Sequence, residues 1–168
     1  MKQLISLFLA PLALLLVLAG VAYADQHDRL TPLLGGIEGW EAPPAKGMSL
    51  ASAQMKMISA RRTYTKGDKA INLSLLVNSG PVMDSDLQES SFEDQLNRIS
   101  VKQVKGFWVK TTHGKNNNSG QVLVHLASNE MANALLLATY SKMDEAEALA
   151  EIENLNWGAM KAVVASML

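Results

Sequence analysis

The stretch Ala70-Ile71-Asn72-Leu73-Ser74-Leu75-Leu76-Val77-Asn78 constrains this chain more than any other. Ile71, Leu73, Leu75 and Val77 alternate with Asn72, Ser74 and Asn78. A period of two puts every second side chain on one face of a strand, and a helix cannot satisfy it. The partner arm precedes it, with Lys66-Gly67-Asp68-Lys69 as the turn and Gly67 free to take a positive φ. The start of that arm, ASAQMKM, also contains good helix formers, whereas Arg62-Thr63-Tyr64 reads as strand. Asn78-Ser79-Gly80-Pro81 ends the hairpin.

The remaining elements follow by pattern. Residues 84–97 predict a short amphipathic helix, capped by Asp84, Ser85 or Asp86, with Leu87, Phe92 and Leu96 near one face. Three or four strands are expected around 99–105, 107–112, 121–127 and 133–140, with HGKNNNSG as a loop between the second and third. A helix begins near Ser141 or Asp144, where Leu149, Ile152 and Leu155 recur at helical spacing, and Gly158 is expected to break it. The order β-β-α-β-β-β-β-α predicts an α+β domain: an antiparallel sheet of about five or six strands with helices, including a C-terminal one, packed on one face.

The amino terminus reads as a secretory signal. Lys2 supplies a short positive region, residues 4–21 are almost wholly apolar, and Ala22-Tyr23-Ala24 places small residues for a peptidase cut after Ala24, or alternatively after Ala22. The expected organisation is therefore a signal peptide over 1–24, a loosely ordered arm over 25–50, and one α+β domain over 51–168. Leu33, Leu34, Ile37 or Trp40 would hold the arm to the domain. The reading places the protein in the periplasm or outside the cell, with no membrane span once the signal is removed.

Charge narrows the partner classes. Without Lys2, 14 Lys and Arg face 16 Asp and Glu, a balance unlike the basic footprint of a nucleic-acid binder. The charges are segregated, however. Arg98, Lys102, Lys105, Lys110 and Lys115 stand in residues 98–128 without an acid, and residues 49–83 carry five cations against Asp68 alone. The expected strands are basic and the expected helices acidic. A basic sheet face suits an anionic partner, either another cell-envelope protein or an anionic lipid surface. Arg61, Arg62, Lys102 and Lys110 are the candidate contacts.

Little points to catalysis. The chain has no cysteine, which excludes disulfides and thiol chemistry. It has no G-x-S-x-G elbow, and Gly35-Gly36 does not open a phosphate-binding helix. The protein reads as non-enzymatic and without a resident cofactor. One alternative concerns a metal. A cut after Ala24 exposes Asp25-Gln26-His27, whose α-amine, two amide nitrogens and imidazole resemble the amino-terminal Cu(II)- and Ni(II)-binding motif, a square-planar arrangement of four nitrogens. His113 falls in the polar loop, and His125 alternates with Val124 and Leu126, so it is expected on the exposed face or rim.

Gly39-Trp40 in a Pro-rich arm, Arg62-x-Tyr64, Asn78-Ser79-Gly80-Pro81, Ser119-Gly120 before an apolar strand, and Asn156-Trp157 closing an acidic helix give a layout. It resembles a group of small uncharacterised bacterial periplasmic proteins, and more loosely the Mog1/PsbP-like and LpqN-like α+β folds. The resemblance spans about residues 38–158 and implies a cell-envelope domain used for binding or assembly, with no catalytic residue carried over.

Overall fold

The computed structural model describes residues 26–52, 56–80 and 87–168. Eight strands form one antiparallel sheet: β1 Lys46–Ala51, β2 Lys56–Lys66, β3 Lys69–Ser79, β4 Ser90–Glu93, β5 Asn97–Val104, β6 Phe107–Gly114, β7 Ser119–Ser128 and β8 Ala132–Ser141. Two nine-residue helices follow, α1 Glu145–Glu153 and α2 Trp157–Ala165. The spatial order is β1-β2-β3-β8-β7-β6-β5-β4. The sheet is thus two meanders, β1 to β3 and β4 to β8, joined by the pairing of β3 with β8.

This corrects the expected fold class. The sheet has eight strands rather than five or six, and it dominates the described chain; the helices are few and short. The amphipathic helix expected over 84–97 is absent from its described part. Its capping candidates Asp84, Ser85 and Asp86 lie outside the described residues. Ser90–Glu93 is an edge strand paired with β5, and Phe92 and Leu96 are both well exposed. Asp94 explains the change. Its carboxylate accepts from Leu96 N at 2.7 Å and from Asn97 N at 2.6 Å, closing the β4–β5 turn. An aspartate that binds its own neighbouring amides competes with helix formation. The strand β1 was also missed, because Lys46-Gly47-Met48-Ser49-Leu50 offers little apolar alternation.

Turn chemistry fixes the register elsewhere. Lys66 pairs with Lys69 around Gly67 at φ 62°. Val104 pairs with Phe107 around Lys105 and Gly106, at φ 52° and 79°. Two successive positive φ angles match the twist of a two-residue hairpin.

One face of the sheet carries the core. Ile58, Ala60 and Tyr64 on β2 stand beside Ile71, Leu73, Leu75 and Val77 on β3. Ala134, Leu136 and Ala138 on β8 and Val122 and Val124 on β7 extend the same layer. The helices cover it with Ala148, Leu149, Ile152, Trp157, Met160 and Val164, and Leu155 in the connection between them joins the same layer. Each helix has a side-chain cap: Asp144 accepts from Glu147 N and Asn156 from Ala159 N. The break falls between these caps, and Gly158 lies inside α2.

Residues 26–45 lie over the β2 side of the same core, with two short 3-10 turns at Gln26–Arg29 and Thr31–Leu33. Leu30, Leu34, Ile37 and Trp40 are buried there. Two polar anchors hold this segment: Tyr64 Oη donates to Gly35 O at 2.6 Å, and Arg62 donates from three nitrogens to Leu34, Ala42 and Pro43 carbonyls.

Candidate functional site: the open sheet face and an end groove

Cross-strand partners in an antiparallel sheet share a face, so the register alone maps the surface opposite the core. One row runs Lys46, Arg61, Ser74, Leu137, Leu123, Lys110, Val101, Ser90 from β1 to β4. The next row runs Met48, Ser59, Leu76, Leu135, His125, Trp108, Gln103. Leu50 and Met57 pair beyond it on the β1 side. Leu76, Leu123, Leu135, Leu137 and Trp108 are half-buried, yet they belong neither to the core nor to the shell packed on it. Met48 and Leu50 are each 45% exposed. Among the described strand residues on this face there is no Asp or Glu, while Lys46, Arg61 and Lys110 supply cations. The result is an apolar band with a positive margin.

The four candidate partner contacts do not form one patch. Arg61 and Lys110 stand in the same row of the open face, both exposed. Arg62 and Lys102 point to the other side. Arg61 and Arg62 are consecutive on a strand, so period-two geometry separates them. Arg62 is instead the clamp of the 26–45 segment, and its guanidinium also lies 5.3 Å from the Tyr64 ring centroid.

The amino-terminal trio is only partly described: Asp25 lies outside the described residues, as do the apolar leader and its cleavage positions. Gln26 and His27 sit in the first 3-10 turn. The His27 ring lies against Gly47, so close that a Cβ there would fall 2.0 Å from its Cδ2. Its Nδ1 is 3.2 Å from Ser49 Oγ. A terminal chelate would have to draw the imidazole away from this seat. Among the described residues no group of three or more His, Asp or Glu is arranged to hold a metal ion.

His113 departs from its expected place in the polar loop, whereas His125 lies on the open face opposite Val124 and Leu126. His113 is the seventh residue of β6 and buried, its Nδ1 2.9 Å from Tyr140 Oη. Burial pushes the Tyr140 hydroxyl up to about 12, helped by the nearby Glu145 and Asp144 charges. His125 pairs with Trp108 on the open face. Burial, and then the Lys161 ammonium, hold its pKa below the usual imidazole range.

Sequence reasoning missed a second feature. Beyond the core, the helix side of β5 carries Arg98, Ser100 and Lys102, facing α1 across a groove of about 500 Å³. Ser91 and Glu93 on β4 pair with Ser100 and Arg98. Glu145 at the start of α1 enters this groove. Its Oε1 accepts from Thr111 Oγ1 at 2.5 Å, whereas its buried Oε2 has no hydrogen-bond donor, Arg98 Nη1 standing 3.6 Å away. Leu149, Ala146 and Ala150 form the apolar wall. Only alternation along Arg98-x-Ser100-x-Lys102 hinted at this polar side, and nothing local showed that Glu145 would meet it.

Compared with family models, curated proteins and solved structures, the chain matches none at a significant level. No helix of the described residues is long and apolar enough to cross a membrane.

Proposed function

We propose that the chain is a non-enzymatic binding or accessory domain of the cell envelope, whose open sheet face docks another envelope protein through an apolar segment flanked by carboxylates. The observation that supports this reading is the row Arg61, Ser74, Leu137, Leu123, Lys110 beside the row Met48, Leu76, Leu135, Trp108, with no acid among the strand residues of that face. A contiguous, partly exposed apolar band with a polar, charged margin is the kind of surface that marks interaction sites. The leader at 1–24, taken as a signal, places the docking outside the cytoplasm.

The two ingredients have different roles. Exposed ion pairs contribute about 0.2–1 kcal/mol each, and burying a leucine side chain roughly 2 kcal/mol. Affinity therefore comes from the leucines and Trp108, whereas Arg61, Lys46 and Lys110 steer association and fix orientation. A photo-crosslinking residue at Leu123 or Leu50 should trap one envelope protein in cells, and the same residue at Glu151 on α1 should not. The crosslink should weaken in Arg61→Glu/Lys110→Glu. Equal crosslinking from both sides of the sheet, or binding only to anionic vesicles, would overturn the proposal.

A further inference from the structure

The end groove carries a different inference, independent of the open face. Its polar groups are divided by sign across its width, with Arg98 and Lys102 on β5 facing Glu145 and Glu153 on α1. Arg98, Ser100 and Lys102 alternate on one strand, so their Cα atoms span about 14 Å at 3.4 Å per residue. The nine-residue α1 opposite is about as long, at 1.5 Å per residue. Glu145 engages the Thr111 and Arg98 end. Lys102 lies in the next row along, paired with Val109.

The state of each group matters. Glu93 is held by Lys115 at 2.6 Å and Glu153 approaches Lys105, so these carboxylates are already compensated. Arg98 reaches both Glu93 and Glu145, but at 3.5 and 3.6 Å. Lys102 has no ion-pair partner among the described residues, and the Ser91 and Ser100 hydroxyls, which are cross-strand neighbours, have no hydrogen-bond partner among them. Glu145 Oε2 is buried and without a donor. A buried acceptor left unsatisfied is costly, more so when charged, so a donor brought by a ligand is favoured there. Glu145 Oε2 thus has a guanidinium nearby but no hydrogen-bond donor, and the unmet needs are an N–H donor at the Glu145 end and an anion at Lys102, with two hydroxyls between. The volume is in the range of small-molecule sites.

We propose that this groove binds a short zwitterionic peptide of two or three residues. Its α-ammonium would donate to Glu145 Oε2 and its carboxylate would meet Lys102. Its backbone would lie against Ser91 and Ser100, and small side chains would face Leu149, Ala146 and Ala150. A single amino acid holds its charges too close together to span one row of the sheet, about 7 Å. A diamine or polyamine would place its second cation against Lys102, where the peptide places a carboxylate.

The test is calorimetric titration of the folded chain with trialanine, with N-acetyl-trialanine, and with trialanine amide. Free trialanine should bind, and each blocked form should bind at least tenfold more weakly. Lys102→Met, a change at an exposed side chain, should weaken free trialanine tenfold while leaving the amide unaffected. Glu145→Gln, which keeps the acceptor for Thr111, should remove the preference for the free amine. Absence of binding at millimolar peptide would overturn the proposal, as would equal affinity for free trialanine and either blocked form. The blocked-peptide comparison needs no variant, so a misfolded mutant leaves it decisive. An Arg61→Glu/Lys110→Glu chain should bind trialanine as well as the unaltered protein.

Discussion

Gly120 lies directly under the Tyr140 ring: a Cβ at Gly120 would stand 2.6 Å from Tyr140 Oη and 2.8 Å from its Cζ. The two residues are cross-strand partners on β7 and β8. The glycine is required by space rather than by φ, since the same Cβ would also meet Thr112 O at 2.1 Å. The phenol over this gap reaches His113, so one missing methyl seats a buried hydrogen bond between strands that are not neighbours. Gly120→Ala is expected to lower stability by about 2 kcal/mol or more, the scale of core overpacking. Tyr140→Phe should cost about 1–2 kcal/mol, the loss of one buried hydrogen bond. Chemical denaturation of both variants measures the difference.

Arg61 and Arg62 should behave oppositely. Arg62→Met removes donors to three carbonyls while keeping the aliphatic stem, and should destabilise by about 2–4 kcal/mol, since bonds from a charged donor count for more than neutral ones. Proteolysis within residues 35–45 should accelerate with it. Arg61→Met touches only the open face and should stay within about 0.5 kcal/mol of the unaltered protein. Equal losses in the two variants would remove the basis for assigning Arg62 to architecture.

Acid should act in two separate windows. The folded pKa of His125 is depressed, so as pH falls through about 6.5 the unfolded chain takes up a proton that the folded chain refuses. Stability should therefore decline from pH 7 toward pH 5. His125→Gln should flatten that limb of a Tm-against-pH curve; an unchanged slope would show the loss to originate elsewhere. Lower down, the Asn97 and Leu96 amides hold Asp94 below the usual carboxylate range. Its contribution is complete above about pH 4 and is lost as pH falls further. Asp94→Ala should remove that part of the acid loss and loosen the β4–β5 turn, visible as faster amide exchange at Leu96 and Asn97.

The Asn156 cap joins α1 to α2, where Trp157 Nε1 donates to Ile152 O at 3.0 Å. Asn156→Ala should cost about 1 kcal/mol. Trp157→Phe, which loses the donor but keeps most of the apolar contact, should cost a comparable amount. Thermal unfolding followed by circular dichroism would report both.

The central strands were legible because their alternation is set by a buried face. Ile71 to Val77 needs no tertiary knowledge to be read as strand, and the helical spacing of Leu149, Ile152 and Leu155 is equally local. The edges were not legible. Ser90–Glu93 is a strand because β5 offers it hydrogen bonds, and its side chains bury too little to leave a pattern. The split of the cationic contacts was within reach, since parity alone separates Arg61 from Arg62. The groove was not. Glu145 meets Thr111 and Arg98 only once α1 folds back over β5 and β6, and helix composition carries no trace of that approach.

The pairing of β3 with β8 has a consequence for assembly. Apart from this seam, every ladder in the sheet joins strands consecutive in sequence. Ser79 meets Ala132 about fifty residues downstream, so most of the loop-closure entropy in forming the sheet falls on one event. Each meander can therefore zip up locally before the two meet, and zipping of the seam is the natural slow step. Because the core runs across both sides of that seam, neither half can bury its leucines alone. Two polypeptides divided between β3 and β4 should accordingly form no stable core apart, their local pairings only transient, and recover the sheet when mixed.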